Sequence, residues 1–375
     1  MRKKILLGGL SLLSGLSFLA SCGKKGDSVE LPTLSVGHVG HDHQLALGVA
    51  ALKPRVMEEA CGIHLKVEKP REVYLMVKGG KAVARIFVRK VGGGSRMPAA
   101  MERGEIEVGL GGIAAEVFAI DRGDPFKVLC PLNVDGDFLL VRPDFPAAGW
   151  EDFVRAVKKS GRPVKIGYKA PMAVAKLIFE RACDAAGLPR APSGEGKRGG
   201  IELVNLQGAA NTIPTLKSGA VDGVVINEPV ASNAVLKGAG KVICPLSSLP
   251  PEGEWVSHPC CSVCATMDAI RGKRALVVDF LKLICAATDW MNAHKEEAAR
   301  VAHRWTRAPL DVEERSVPGI TYLRRAGKAY RRGVYTWFRI MKELGKFQGG
   351  LKGLSPEEAF RRTHDLSLLE EASGK

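Results

Sequence analysis

Three closely spaced histidines are the first residues whose types could do chemistry. They follow the pattern His38-x2-His41-x-His43, directly after a short apolar run. Neutral imidazole is a good ligand for zinc and for softer transition metals. The three rings can converge if the segment is a loop, but they separate if a helix begins at Asp42, whose carboxylate is a plausible N-cap. Helix capping and ligand contact by Asp42 both remain open.

A second candidate ligand set reads His258-Pro-Cys260-Cys261-x2-Cys264. Because side chains alternate along a strand, Cys260 and Cys264 face one side and Cys261 faces the other. The thiols can therefore converge only across a β-bulge. With that requirement we expect no metal site, and the candidates for one, if it exists, are His38, His41, His43, Cys260 and Cys261.

A glycine-rich run, Gly93-Gly94-Ser95-Arg96, follows another apolar stretch and precedes a short predicted helix. Free backbone N–H groups at a helix start suit a carboxylate, sulfonate or phosphate. The pair Gly111-Gly112, after the next predicted strand, would let a ligand approach the backbone closely. The Arg96 side chain either reaches the anion or points into solvent.

Ligands of open α/β sheets bind at the carboxyl ends of the strands. Glu228, which precedes Pro229, either caps a helix or, opposite Arg96, suits the ammonium group of a zwitterion. We therefore expect a small anionic or zwitterionic ligand and no catalytic residue. The predicted ligand-binding residues are His41, Asp42, His43, Gly94, Ser95, Arg96, Gly111, Gly112, Lys169, Met172, Gln207, Asn227 and Glu228.

Two segments must position these residues, and they share one plan. Residues 88–112 read as strand, glycine loop, short helix, glycine stop and second strand, and residues 203–227 read the same way. Pro98 and Pro214 stand near the helix starts, where a missing N–H does no harm. Glycines stand at the predicted helix ends. The repeat predicts an α/β fold of two related lobes with a cleft between them.

The remaining hydrophobic patterns assign the other segments of the chain to the two lobes and to a C-terminal extension. The apolar runs at 242–244 and 260–265 are predicted strands of lobe 1, and the helical tail is expected to bury its aromatic face and expose its arginines. A helix lying on a membrane is the alternative for that tail. In chain order we expect the first part of lobe 1 (33–137), lobe 2 (138–240), a return to lobe 1 (241–304) and a C-terminal helical extension that packs on lobe 1 (305–375).

The N-terminus has the pattern of an export signal. Basic residues lead into an apolar run that ends Leu19-Ala20-Ser21-Cys22, which predicts a lipoprotein signal peptide over 1–21, lipidation at Cys22 and a polar tether over 22–32. With 55 Lys+Arg against 40 Asp+Glu, the formal charge is +15, which suits an anionic membrane surface or solute. Export argues against a nucleic-acid partner. We expect an extracytoplasmic, lipid-anchored monomer.

Over residues 33–300 the sequence resembles the nitrate/sulfonate/taurine family of ABC-transporter substrate-binding proteins, which includes binders of thiamine-pyrimidine precursors. The segments that carry the resemblance are Arg96-Met-Pro-Ala-Ala-Met101, 104–112, 219–229 and His258-Pro-Cys-Cys261. The resemblance implies a periplasmic-binding-protein fold of type II, with two lobes joined by two crossing strands. It also implies closure of the cleft around a solute and, as partners, a permease and an ATPase.

The same resemblance raises an enzymatic alternative. Related thiamine-pyrimidine synthases carry a run of cysteines at the position of Cys260 and Cys261, bind pyridoxal phosphate through a lysine and consume a histidine of their own. This chain has Gly111 and Ala115 where the lysine and histidine would stand. Without these two reactants the chemistry cannot proceed. We therefore expect no enzyme and no cofactor; a metal-binding or sensory lipoprotein is the other alternative to a solute receptor.

Overall fold

An eight-stranded sheet contains the first strand of the described residues. The computed structural model describes residues 30–374, apart from the side chain of Ser95. The predicted signal peptide, Cys22 and most of the tether therefore lie outside the described residues. The strands of this larger sheet are β1 (Thr33–His38), β2 (Ile63–Lys69), β3 (Val73–Lys78), β4 (Lys81–Lys90), β5 (Val108–Gly112), β6 (Phe126–Val134), β13 (Pro259–Thr266) and β14 (Thr321–Tyr322).

The larger sheet has the order β14-β6-β13-β5-β1-β4-β3-β2. Strand β1 runs parallel to both β4 and β5, whereas β13 runs antiparallel to both β5 and β6. The carboxyl ends of β1 and β5 consequently lie side by side, with the amino end of β13 next to them. This arrangement brings the histidine segment and the cysteine segment to one edge of the sheet.

A six-stranded sheet forms the second lobe. Its strands are β7 (Asp137–Val141), β8 (Val164–Tyr168), β9 (Arg190–Pro192), β10 (Ile201–Asn205), β11 (Gly223–Asn227) and β12 (Lys241–Pro245), in the order β12-β7-β11-β8-β10-β9. The prediction that 242–244 returns to lobe 1 is wrong, because β12 pairs antiparallel with β7 of this sheet. Only the later apolar run, β13, joins the larger sheet.

Helices cover both sheets. The first predicted helix is divided in two at Lys53, because a residue before proline disfavours helical backbone and Pro54 begins the next helix. The helices are α1 (Leu45–Leu52), α2 (Pro54–Cys61), α3 (Met97–Glu102), α4 (Ile113–Asp121), α5 (Trp150–Lys159), α6 (Val174–Ala185), α7 (Thr212–Lys217), α8 (Val230–Leu236), α9 (Met267–Gly272), α10 (Arg274–Ala293), α11 (Lys295–Thr306), α12 (Leu310–Ser316), α13 (Lys328–Glu343), α14 (Pro356–Thr363) and α15 (Ser367–Ala372).

The predicted repeat is confirmed in both lobes. Strand β4, helix α3 and strand β5 follow one another in the larger sheet, as β10, α7 and β11 do in the smaller sheet. Gly104 and Gly219 end the two helices with φ values of 70° and 71°, a backbone conformation that glycine adopts without strain. The two lobes are therefore built around the same strand-helix-strand unit.

Two connections join the sheets. One is the pair Asp135-Gly136 between β6 and β7, where both residues have positive φ, and the other is the segment 246–258 between β12 and β13. His258 ties the two connections together: its Nε2 lies 3.3 Å from Asp137 Oδ2, and its Nδ1 lies 3.2 Å from Asp135 Oδ1. A mostly buried, charged contact thus spans the junction between the lobes.

The C-terminal extension contributes β14 to the edge of the larger sheet beside β6. As predicted, the aromatic face of α13 is buried: Trp337 Nε1 donates to Pro259 O at 2.8 Å, and the Trp337 ring lies 5.4 Å from Trp255. The extension reaches further than predicted, since α12 also packs against α8 of the smaller sheet. Among residues 30–374, no helix is long and apolar enough to cross a membrane.

Candidate functional site

The histidine segment is held over the carboxyl end of β1 by Gln44. The Gln44 amide donates to Leu110 O at 2.5 Å, and its oxygen accepts from Val39 N at 2.6 Å. The segment Asp42–Gln44 forms one turn of 3-10 helix whose N-cap position is His41. His43 is buried in this turn. Its ring lies so close to Gly136 that a Cβ added to Gly136 would lie 2.7 Å from His43 Nε2.

The cysteines lie on an irregular part of β13. The pairing of β13 with β6 shifts register on both sides of Cys261, and the Cys261 N–H donates to the Asn133 side chain at 3.1 Å. Such a bulge re-aims side chains that would otherwise alternate. Cys260 and Cys261 pack in the main core, whereas Cys264 packs in a separate cluster around Met97. The β-bulge that the cysteine thiols need in order to converge is therefore present.

His43, Cys260 and Cys261 form one buried group. His43 Nδ1 lies 3.2 Å from Cys260 Sγ, and the nitrogen and the two sulfurs all lie within 4.8 Å of one another. A hydrogen bond from Cys260, aided by His43 against the effect of burial, lowers the pKa of Cys261 to about 5. The same contact with Cys261, together with burial, raises the pKa of Cys260 well above its usual value. The two shifts have opposite directions, so the contact favours the thiolate form of Cys261 and the thiol form of Cys260.

The smaller sheet supplies a cation to this group. Lys169, which follows β8, donates from Nζ to Asn227 Oδ1, and Asn227 Nδ2 donates to Glu228 O at 2.5 Å. The ring of His41 lies 5.3 Å from that of His43. Burial, and then the charge of Lys169, lower the pKa of His41 well below its usual value. His41 is therefore neutral beside an ammonium group that comes from the other sheet.

Asp137 and His258 border the same group. Burial alone would raise the pKa of Asp137, but His258, His43 and Lys169 outweigh it, and the pKa is lowered. Burial alone would lower the pKa of His258, but the carboxylates of Asp135 and Asp137 raise it to about 9. An ion pair between an imidazolium and carboxylates therefore stands at the junction at neutral pH.

The two predicted carboxylates are engaged elsewhere. Glu228 accepts from Ser232 N at 3.0 Å and from Ser232 Oγ at 2.8 Å, so it caps the start of α8, which was one of its two alternatives. Asp42 does not cap its helix; it accepts from Ser316 Oγ of the C-terminal extension. Burial and the neighbouring Glu313 raise the pKa of Asp42 well above its usual value. Asp42 and Glu313 therefore share a proton.

The glycines adjoin the cysteines, and the other predicted residues are more scattered. Gly112 pairs with Cys261, and a Cβ on Gly94 would lie 3.2 Å from Gly112 N. Arg96 is exposed, in agreement with its solvent alternative, and Gln207 is also exposed. Met172 is half-buried against the main core. The side chain of Ser95 lies outside what the structure describes.

A cavity of about 740 Å³ lies beside the histidine segment. His38 lines it, and burial, aided by Lys90 and Arg71, lowers the His38 pKa to about 4. Its walls carry four cationic and two acidic side chains, which gives the cavity a basic lining. The charged lining residues are Arg71, Glu72, Arg89, Lys90, Glu105 and Arg307.

A sequence profile of the NMT1-like family matches residues 73–306, more than half of the chain. The chain belongs to the NMT1-like family. Its curated relatives include an uncharacterized protein of Methanocaldococcus jannaschii, which is 35% identical over 134 residues that make up 36% of this chain and 92% of the relative.

Several solved structures share the fold of this NMT1-like protein. The ligand-binding component of an ABC-type import system from Staphylococcus aureus, solved with zinc bound, matches with a TM-score of 0.69 and 14% identity, over 92% of this chain and 100% of the other. The nitrate-binding protein NrtA from Synechocystis matches with a TM-score of 0.67 and 15% identity, over 92% and 89%.

The aliphatic sulphonate-binding protein SsuA from Escherichia coli matches with a TM-score of 0.62 and 15% identity, over 92% of this chain and 99% of the other. At these identities the matches show the fold. The predicted fold class, two α/β lobes of a type II periplasmic binding protein with additional C-terminal helices, is confirmed, and so is the predicted resemblance.

Sequence reasoning missed two parts of the site of the NMT1-like protein. Asp137 directly follows Asp135-Gly136, a turn sequence between two apolar runs, which is the signal that could have identified it as a junction residue. Glu313 and Ser316 come from the helical extension, and no local pattern relates them to Asp42. Their contribution depends on how the extension folds back over both lobes.

Proposed function

We propose that this protein is the extracytoplasmic solute-binding component of an ABC importer. The observation that carries the proposal is the meeting of the two sheets at one group: Lys169 and Asn227 come from the smaller sheet, and His41 and His43 come from the larger sheet. A cleft built from two lobes binds solute by closure about the connections between them. Relatives of the same fold include the ligand-binding component of an ABC-type import system.

The charges around the group favour an anionic solute over a zwitterion. Glu228, the predicted partner for an ammonium group, caps α8, and Asp42 shares a proton with Glu313. The groups that are still available to a solute are Lys169 and the basic lining of the adjacent cavity, and both attract negative charge. The solute class that these contacts suit is a small carboxylate, a sulfonate or an inorganic oxyanion such as nitrate.

An enzymatic role of the synthase type would require Glu116 to move away from Gly111. A Cβ at this position would lie 2.8 Å from Glu116 Oε1 and 3.2 Å from Met97 Cβ. A lysine there would displace the buried carboxyl of Glu116, which accepts from Ser262 Oγ. We therefore propose binding without turnover.

A thermal-shift screen of nitrate, sulfonates, carboxylates and pyrimidines tests the import proposal. A ligand that binds only the native state raises the midpoint in a concentration-dependent manner, with about 2.7 kcal/mol of stabilisation at 100 times its Kd. Lys169→Gln should abolish the shift. The matched control is Lys165→Gln, on the strand that precedes Lys169 but paired with Glu202, and it should preserve the shift. A shift that survives in Lys169→Gln would contradict the proposed site.

Attachment to the membrane through Cys22 belongs to the same proposal. Cells that express the full chain should carry it in the membrane fraction, and Cys22→Ser should move it to the soluble fraction. Membrane retention of Cys22→Ser would contradict the lipid anchor and leave solute binding to be judged by the thermal-shift screen.

A further inference from the structure

We propose that His43, Cys260 and Cys261 bind one soft transition-metal ion of the zinc class, and that the ion keeps an open coordination position for an anionic solute. The second half of this statement rests on the proposed import function, whereas the first half does not. Both halves concern the point where the histidine segment meets the bulge of β13.

The donor set fits a zinc-class ion in type and number. Two thiols and one imidazole are soft or borderline ligands, and sites with three protein ligands leave the fourth tetrahedral position to water or to a bound molecule. Metal binding requires both cysteines as thiolates and so displaces any proton that the pair still holds. The two resulting thiolates balance a divalent cation, and no further acidic ligand is needed.

The observed distances are close to those of a metal site. Bonds of about 2.3 Å to sulfur and about 2.0 Å to nitrogen imply ligand–ligand separations of roughly 3.5 to 3.8 Å around a tetrahedral ion. His43 Nδ1 lies 3.2 Å from Cys260 Sγ, and all three ligand atoms lie within 4.8 Å of one another. Movements of about 1 Å or less would complete the coordination sphere.

The surrounding structure fixes the three ligands in place. The bulge is held by the hydrogen bond from Cys261 N to the Asn133 side chain. The turn that carries His43 is held by the Gln44 side chain, which bonds Val39 N and Leu110 O. All three ligand residues are at least nine-tenths buried. Rigid support of this kind is what a metal site requires of its scaffold, because looseness in the ligands costs affinity.

The charge of Lys169 favours an anionic ligand at the fourth coordination position. A divalent ion with two thiolates and a neutral imidazole carries no net charge, and the imidazolium of His258 offsets the buried carboxylate of Asp137. The nearby ammonium of Lys169 therefore leaves the buried centre positive. An anionic donor in the open position restores neutrality, whereas a second ammonium group would not. The centre thus suits the solute class that the contacts of the smaller sheet already favour.

The test uses the full chain, stripped with a chelator and kept reduced. Zn²⁺ is titrated against a chromophoric chelator, and Co²⁺ serves as a spectroscopic probe whose charge-transfer absorption reports thiolate ligation. We expect one equivalent of tightly bound zinc. Because loss of a supporting partner alone weakens metal sites by about 10- to 100-fold, Cys260→Ser, Cys261→Ser and His43→Gln should each weaken binding by at least about 100-fold.

The matched control is Cys264→Ser, a buried cysteine of the same strand that packs in a different cluster. It should leave zinc affinity within about twofold of the wild type and the cobalt spectrum unchanged. Circular dichroism verifies the fold of every variant. Absence of charge-transfer absorption in the wild-type protein, or equal losses in Cys264→Ser, would show that the cysteines are only packed, and would overturn the metal site.

Repeating the solute screen on stripped and zinc-loaded protein separates the two proposals. Stabilisation by an anion only in the zinc-loaded form supports both. Solute stabilisation of protein that binds no metal retains the import function and rejects the metal centre. Tight zinc binding without stabilisation by any solute retains the metal centre and rejects the open position together with the import function.

Discussion

Protonation of His364 should destabilise the protein below neutral pH. This residue follows α14, is 7% exposed and stacks on Phe360 at 4.0 Å, and its Nε2 lies 3.3 Å from Tyr330 Oη. Burial, aided by the charges of Arg331 and Lys127, lowers its pKa from 6.5 to about 3. The folded protein therefore keeps this imidazole neutral at a pH where the unfolded chain protonates it.

The sign and size follow from proton linkage. A histidine with a lowered folded pKa contributes its full stability above pH 6.5, and the contribution is lost as the pH falls toward 3. At about 1.4 kcal/mol per pKa unit, the whole difference amounts to about 5 kcal/mol, of which about 3 kcal/mol is lost between pH 6.5 and pH 4. The loss should appear in the free energy of unfolding of the full chain.

Urea unfolding of the wild type and of His364→Gln from pH 7.5 to pH 4 isolates this contribution. Glutamine keeps a hydrogen-bonding amide near Tyr330 but cannot titrate, so the stability advantage of the wild type should shrink by about 3 kcal/mol across that range. The control His294→Gln makes the same substitution at an exposed position, and the change seen with His364→Gln should exceed it. A difference between wild type and His364→Gln that does not vary with pH would refute the reasoning.

Three further outcomes are expected. Trp337→Phe removes the donor to Pro259 O and should cost about 1 to 3 kcal/mol in denaturant unfolding, and an unchanged midpoint would contradict that bond. Gly333→Ala should lower the melting temperature, because its Cβ would lie 2.4 Å from Pro259 Cδ. This clash opposes the helix propensity of alanine, which is more favourable than that of glycine by about 1 kcal/mol. Gly272→Ala, with open space around the added Cβ, is the control. Burial raises the pKa of Glu313 and of Asp42, so the stability contributed by their protonated forms is lost as the pH rises. The stability difference between the wild type and Glu313→Gln in urea unfolding should therefore shrink from pH 5 to pH 8, and a difference that does not change with pH would contradict this expectation.

Much of the fold could be predicted because it rests on local patterns. The strand-helix-strand units have their proline near the helix start and their glycine at the helix end, and each of these residues acts within a few positions of itself. The assignment of 242–244 failed for the opposite reason. A short apolar run carries no information about its partner, and pairing with β7 is decided by the second sheet as a whole.

The site was predictable only in part. The rule of strand ends predicted one site for His43, Gly112 and Lys169. In the structure Gly112 pairs with Cys261 of the His43 group, and the charge of Lys169 acts on Cys261. Alternation along a strand, however, argued against adjacent cysteines sharing a side. The bulge at Cys261 overturns that argument, and it depends on Asn133 of β6, far away in sequence. A bulge of this kind leaves no signature in the strand that carries it.

The close contact between Gly111 and Glu116 has an evolutionary consequence. A lysine at this position would bring its Cβ within 2.8 Å of a buried carboxyl that is hydrogen-bonded to Ser262. Glu116 would therefore have to move or be replaced. Synthase-type chemistry would need a lysine at Gly111, a histidine at Ala115 and an adjustment at Glu116, so changes at three positions separate this sequence from it.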